Sequence, residues 1–253
     1  MNPQHIELVK STVPVLRENG VALTTYFYQR MLNNNPELNN VFNLDHQSSG
    51  RQPRALAAAV LAYAENIENP SVLAKAIEHI TTKHVSLNIR PEQYSIVGEN
   101  LLHSISEVLN VPMDAELIAA WKAAYFQLAD ILINAEQLKY KKLAEQAGGW
   151  AGWRQFEIIR VENIAEGKCF HLQAQDNKPI SQAEADQFIS VKVKVPQKDF
   201  EQPQQFPLIP EQNGQSYRFN VKAQDSTSEI SVANILLNHY QSGDVLAVTA
   251  PLK

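Results

Sequence analysis

Cysteine, glycine-rich loops and long apolar runs are scarce or missing in this chain of 253 residues. The single cysteine, Cys169, excludes an intramolecular disulfide, and no Cys/His cluster in the sequence predicts a zinc site. No basic patch with interleaved aromatics occurs and the net charge is -5, which argues against nucleic acid as a partner. No run reaches membrane-spanning length, membrane-lipid contact is not indicated, and the N-terminus lacks signal-peptide features. These absences predict a protein of the reducing cytoplasm.

The character of the sequence changes near residue 147. Before this point helical periodicity predicts helices at about 3–18, 20–34, 36–41, 51–66, 71–83, 91–108 and 113–145, with a break in the last one left open. After it, alternating apolar and polar residues predict strands at about 188–195, 216–221 and 244–249, and Asn213-Gly214 predicts a hairpin turn. Since strands do not alternate with helices and no Gly-rich phosphate loop is present, we expect an antiparallel barrel and not a dinucleotide-binding fold.

One histidine lies on the apolar stripe of a predicted helix. Leu73, Ile77, Ile80 and His84 are spaced by four, three and four residues, so they share one helical face. A histidine in that position is either a core residue with its hydrogen bonds satisfied or a ligand for something buried. His79 is the other candidate ligand on this helix. It lies five residues before His84 and therefore points about 140° away from it around the helix axis, so we expect it to be exposed.

The residues around His84 show that the first part of the chain resembles the globin domain of bacterial flavohaemoglobins. The resemblance implies an all-α globin domain over residues 1–147 that binds haem b, followed by a junction at 148–153. The segments that carry it are Tyr26-Phe27-Tyr28, Asn35-Pro36-Glu37-Leu38, Val41-Phe42-Asn43, Gln52, Lys83-His84, Arg90-Pro91-Glu92-Gln93-Tyr94, Val97-Gly98-Glu99, Ile133-Asn134-Ala135-Glu136 and Ala147-Gly148-Gly149-Trp150.

By this resemblance His84 is the proximal iron ligand, with Tyr94 and Glu136 behind it. A carboxylate behind an imidazole increases its imidazolate character, which favours oxygen activation over storage. Taken alone, Glu136 reads as a surface helix glutamate and Tyr94 as a core residue. Because both residues stand at the family's positions together with His84, we favour a proximal triad of His84, Tyr94 and Glu136.

The same resemblance gives the other side of the haem pocket. Tyr28 is the distal tyrosine, able to donate a hydrogen bond to dioxygen, and Gln52 is the second distal polar group. Leu56 shapes the apolar ceiling and Phe42 packs on the porphyrin, although simple core packing explains both equally well. Lys83 is expected near the cofactor, where it can meet a haem propionate, a docking partner or only solvent.

Residues 154–253 resemble, more weakly, the FAD-binding barrel of the ferredoxin-reductase type, which implies a six-stranded antiparallel Greek-key β-barrel and an α+β multidomain protein. The family's flavin motif, Arg-x-Tyr-Ser, falls on Gln204, Gln205, Phe206 and Pro207, which offer neither its charge nor its hydroxyls. In the family's second phosphate-contacting turn the last residue is a serine, and Ala233 stands at that position here. Ser231 can take its place only if the register shifts by two residues. We therefore expect that FAD binding is unlikely. An alternative that stays open is that the barrel binds flavin through different contacts.

The resemblance implies a haem globin that binds dioxygen and nitric oxide. The sequence ends where the family continues into a nicotinamide-binding domain, so we expect that this chain does not bind NAD(P)H and depends on a separate reductase for nitric oxide dioxygenation. The main alternative is a non-enzymatic sensor or ligand-binding globin whose barrel is an interaction module. A peroxidase-like role fits the same proximal residues, and oligomeric state is not given by the sequence.

Overall fold

The computed structural model describes residues 1–44, 49–210 and 215–253, so the predicted turn at Asn213-Gly214 lies outside the described residues. The chain forms two compact units, one built from Met1–Pro36, His46–Thr81 and Arg90–Ala135 and the other from Glu37–Asp45, Thr82–Ile89 and Glu136–Lys253. Among the described residues no helix combines the length and the apolar character needed to cross a membrane.

The first half of the chain is helical, as predicted. Within the part that the structure describes, short 3-10 helices accompany the α-helices at Pro36–Asn40 and Pro70–Leu73, and another lies in the second half at Ala223–Asp225. The α-helices are α1 (Pro3–Ser11), α2 (Val13–Asn34), α3 (Arg51–Glu65), α4 (Ala74–Ser86), α5 (Pro91–Leu109), α6 (Glu116–Glu145) and, within the second half, α7 (Val232–His239).

The boundary between the first two helices differs from the prediction. We expected a break near Gly20, but α1 ends at Ser11 and α2 begins at Val13, with Pro14 in its first turn. Proline has no N–H to continue a helix and is tolerated in the first turn, so it sets the break. Gly20 instead lies inside α2, where an added Cβ would already contact the Cβ of Ala57 at 3.5 Å. This is an ordinary van der Waals distance, so an alanine would also fit between α2 and α3 at this point.

The second half contains a six-stranded antiparallel sheet. Its strands are β1 (Trp153–Ile164), β2 (Gly167–Ala174), β3 (Phe188–Lys194), β4 (Glu201–Pro207), β5 (Ser216–Lys222) and β6 (Val245–Thr249). They pair in the order β4-β3-β6-β1-β2-β5. Among the described residues, an isolated bridge between Leu208 and Phe219 joins the two edge strands. The predicted six-stranded Greek-key barrel thus takes the form of an open antiparallel sheet.

One face of this sheet carries the core of its unit. All six strands and α7 contribute fully or almost fully buried apolar side chains, among them Phe156, Phe170, Ile189, Phe206, Phe219, Ile235 and Leu246. The junction joins the same core, since Trp150 packs against Phe156 at 5.6 Å and lies under the guanidinium of Arg154 at 5.0 Å. Two junction glycines, Gly148 and Gly152, have φ of 68° and 83°, which L side chains rarely adopt.

Candidate functional site

The geometry around His84 joins a histidine to a buried carboxylate. His84 lies in the last turn of α4, and its Nδ1 is 2.7 Å from Oε1 of Glu136 on α6. The Glu136 side chain is 3% exposed, whereas that of His84 is 30% exposed. When Nδ1–H donates to the carboxylate, the lone pair of the ring lies on Nε2, the nitrogen that faces away from Glu136. A buried carboxyl group thus orients a partly exposed imidazole whose Nε2 could bind a metal.

The helix face that carries His84 has the predicted character. Leu73, Ile77, Ile80 and His84 are all partly exposed, whereas His79 is exposed. An apolar helix face that is only half covered by protein offers surface to a flat apolar group. His79, the rival ligand, points elsewhere, as the spacing predicts.

Lys83, the neighbour of His84, contacts the sheet of its own unit. Its Nζ donates to Oε1 of Gln205 on β4 at 2.5 Å, and Nε2 of Gln205 donates to Oγ of Ser86 at 2.7 Å. Ser86 Oγ in turn donates to the carbonyl of Lys83 at 2.7 Å. Burial lowers the pKa of Lys83 to about 8. The end of α4 is therefore fixed to β4 through a closed ring of polar contacts.

The segment that contains Phe42 is fixed to the same strand. Gln202 Nε2 donates to the carbonyl of Phe42 at 3.2 Å, and its Oε1 accepts from the backbone N–H of Leu44 at 2.7 Å. Asn43 Nδ2 donates to the carbonyl of Pro203 at 3.0 Å. The side chain of Phe42 remains partly exposed. Strand β4 thus supports two of the predicted cofactor-contacting segments, residues 39–44 and 83–86.

The predicted distal residues lie in the other unit. Tyr28 is 9% exposed and packs edge-on against Phe27 with ring centroids 4.9 Å apart. Burial raises the pKa of the Tyr28 hydroxyl well above its usual value, so the hydroxyl keeps its proton and can donate. Tyr26, the neighbour that can be mistaken for it, instead donates at the surface to Glu107 at 2.6 Å.

Gln52 and Leu56 are one turn apart on α3 and both are partly buried. Thr24, one turn before Tyr28 on α2, donates to the carbonyl of Pro53 at 2.8 Å. This contact places the first turn of α3, which carries Gln52, against the face of α2 that carries Tyr28. Within this unit the structure therefore brings the predicted distal helices together.

Tyr94 is 7% exposed in the first turn of α5. Its carbonyl accepts a hydrogen bond from the Tyr125 hydroxyl at 2.6 Å. The Tyr125 ring also occupies the space that a Cβ at Gly98 would need, one turn further along α5. The backbone position of Tyr94 is thus set by α6, which also carries Glu136.

Comparison with known proteins gives the class of the fold. A globin family profile matches residues 25–132. The flavohemoprotein of Bordetella pertussis is 47% identical over 99% of this chain, which spans 63% of that relative's length. The crystal structure of a flavohemoglobin from Malassezia yamatoensis with bound FAD and haem superposes with a TM-score of 0.87, is 25% identical and covers 100% of this chain and 64% of its own.

A third relative covers the helical part. It is an engineered form of a putative nitric oxide dioxygenase from Rhodothermus marinus, 36% identical over 57% of this chain and 99% of its own, with a TM-score of 0.53. The fold is that of a globin followed by a sheet domain. The chain belongs to the globin family through its helical part, and over nearly its whole length it is similar to flavohaemoglobins.

The comparisons bear on the expectation that flavin is unlikely. The flavohemoglobin that superposes on both parts of this chain holds FAD, which runs against the expectation that flavin is unlikely. The structure also shows contacts that the sequence did not predict, since Gln205, Ser86 and Gln202 link β4 to the predicted cofactor segments. Their polar character was visible in the sequence, but no local pattern connects positions more than a hundred residues apart.

Proposed function

We propose that this chain is a haem globin that removes nitric oxide by dioxygenation with electrons from a separate reductase. In the balanced reaction nitric oxide, dioxygen and one electron give nitrate. The observation that carries the proposal is the 2.7 Å contact between His84 Nδ1 and the buried carboxylate of Glu136. We assign the globin domain to residues 1–147, the junction to 148–153 and the sheet domain to 154–253.

The donor set around His84 fits haem. A neutral imidazole oriented by a carboxylate is a common iron ligand, and the partly exposed face of α4 is apolar apart from His84. Haem, when bound, supplies an iron that takes up diatomic ligands and exchanges single electrons. Glu136 would hold the His84 ring in one tautomer and add negative character to it, and Tyr94 is assigned to support this pair.

Tyr28 and Gln52 are assigned to the distal side. The Tyr28 hydroxyl keeps its proton because burial raises its pKa, so it would donate to dioxygen and hold it for reaction with nitric oxide. The Gln52 amide would donate to the same ligand or orient Tyr28. Leu56 and Phe42 would exclude water from the reacting gases.

The residues at the family's flavin motif do not fit flavin binding in the usual way. Phe206 is 2% exposed, and its ring lies 4.9 Å from that of Phe219 inside the core. Gln205 is bonded to Lys83 and Ser86, and Pro207 has neither a hydroxyl nor an N–H to donate. No step is therefore assigned to flavin, and the electron is assigned to an external donor.

An absorption spectrum of the purified protein tests the haem assignment. We expect a Soret band that shifts when dithionite and carbon monoxide are added, and a flavin assay on the same sample shows whether the sheet domain holds FAD. His84→Ala should abolish this band or alter it grossly, whereas His79→Ala, an exposed position on the same helix, should leave it unchanged. Failure of the wild-type protein to take up haem on reconstitution would contradict the proposal.

A further inference from the structure

A second group of metal-binding side chains lies in the sheet domain, remote in sequence from His84. Glu162, Cys169 and His171 each place a ligand atom so that all three atoms lie within 4.8 Å of one another. Cys169 Sγ is 3.8 Å from His171 Nε2, and Glu162 Oε2 is 3.4 Å from the same nitrogen. Cys169 is 4% exposed and His171 9%, so this is not an ordinary surface cluster.

The hairpin between β1 and β2 brings these residues together. Glu162 is paired with Cys169 across the two strands, and His171 lies two residues beyond Cys169 on the same strand face. The neighbours Phe170 and Leu172 point into the apolar core, so Cys169 and His171 face the opposite side of the sheet.

A register shift in β1 places Glu162 on that same face. The pairing skips Ile159, which is 43% exposed, between Ile158 and Arg160. Ile158 and Val161 therefore both pack on the core side, and Glu162 turns outward beside Cys169. Without the bulge, strict alternation would direct Glu162 into the apolar core.

A buried acceptor lies next to the group. Asn220 on β5 is the cross-strand partner of Cys169, and its Oδ1 is buried with no hydrogen-bond partner. A buried polar atom without a partner costs free energy, and an amide oxygen is also a metal ligand. The side chain directly opposite Cys169 thus offers a fourth donor atom, an amide oxygen.

We infer that Glu162, Cys169 and His171, with Asn220 as the neighbouring donor, form a binding site for a zinc-like divalent cation. Thiolate, imidazole and carboxylate are the ligands that zinc takes in proteins. Bond lengths of about 2.3 Å to sulfur and about 2.0–2.1 Å to nitrogen or oxygen at tetrahedral angles place sulfur about 3.6 Å and oxygen about 3.4 Å from the imidazole nitrogen. The observed 3.8 and 3.4 Å are close to these values.

The surrounding charges limit the affinity without blocking the site. Glu162 uses Oε1 for Arg160 and keeps Oε2 toward His171, so a cation can take Oε2 without displacing Arg160. The Arg160 side chain is 64% exposed, so water screens its charge. Arg218 on β5 is paired with His171 across the strands and contributes a second positive charge. We expect weaker binding than at a closed four-cysteine site.

The test measures zinc on the haem-loaded protein, with all 253 residues present. After equilibrium dialysis against zinc, elemental analysis should give one zinc per chain in addition to the haem iron. His171→Gln and Cys169→Ser should each weaken zinc binding by roughly 10- to 100-fold, as expected for loss of a ligand. His239→Gln, at an exposed position on α7, is the matched control and should bind as the wild type does.

A second readout uses the fact that the chain has one cysteine. Cadmium added to the protein should produce a thiolate-to-metal absorption band, and this band can come only from Cys169. The melting temperature without metal shows that each variant folds, and Glu162→Gln serves if either ligand variant does not. The inference is overturned if the wild-type protein retains no zinc after dialysis. It is also overturned if folded Cys169→Ser and His171→Gln bind zinc as tightly as the wild type does. It does not rest on the proposed function.

Discussion

Replacing Glu136 by glutamine tests the pair that carries the proposed function. The substitution keeps the size of the side chain and an acceptor oxygen but removes the charge 2.7 Å from His84 Nδ1. A hydrogen bond to a charged group contributes about 1.5–3 kcal/mol, against about 0.5–1.5 kcal/mol for a neutral one. Because the Glu136 side chain is 3% exposed, water screens little of this difference. We therefore expect a loss of about 1–2 kcal/mol, or roughly 5- to 30-fold in haem affinity.

The assay is the rate at which haem leaves the protein for an excess of an apoglobin acceptor. Glu136→Gln should lose haem faster by that factor, and its ferric-to-ferrous potential should rise because a negative charge no longer favours the ferric state. Glu145→Gln is the control, since Glu145 lies on the same helix but is 66% exposed. Equal haem loss and equal potential in the wild type and both variants would refute the role given to Glu136.

Further predictions concern the distal side and strand β4. Tyr28→Phe removes a buried donor, so the oxygen dissociation rate should rise by a factor that corresponds to about 1–3 kcal/mol, whereas Tyr26→Phe at the surface should not change it. An unchanged rate in Tyr28→Phe would show that the distal assignment is wrong. Gln205→Leu breaks the bonds to Lys83 and Ser86 and should lower the free energy of unfolding by about 1–2 kcal/mol in urea titrations. Unchanged stability there would contradict a structural role for this ring of contacts.

Local patterns explain which elements could be predicted from the sequence. The strands β3, β5 and β6 alternate apolar and polar residues because one face packs on the core, and each was predicted to within one residue at either end. Strand β4 was not predicted, since Pro203 and Pro207 interrupt a run of glutamines. It forms at the edge of the sheet, where a missing N–H does not break an internal ladder.

The sites also differ in whether a local spacing in the sequence predicts them. The helical spacing of Leu73, Ile77, Ile80 and His84 predicts one face, and the partial exposure of all four agrees with it. The cluster of Glu162, Cys169 and His171 was missed, because Glu162 and Cys169 are seven positions apart on two strands of a hairpin. Only the strand register and the bulge at Ile159 bring them together, and neither is encoded in a local spacing rule.

The measurement that tests the central claim most directly is the fate of nitric oxide. The reduced haem protein, equilibrated with dioxygen, is mixed with a stoichiometric amount of nitric oxide, and nitrate and nitrite are then determined. The account predicts one nitrate per chain with conversion of the haem to the ferric state, and repeated turnover when a reductase is added. Recovery of unreacted nitric oxide, or formation of nitrite in place of nitrate, would contradict it.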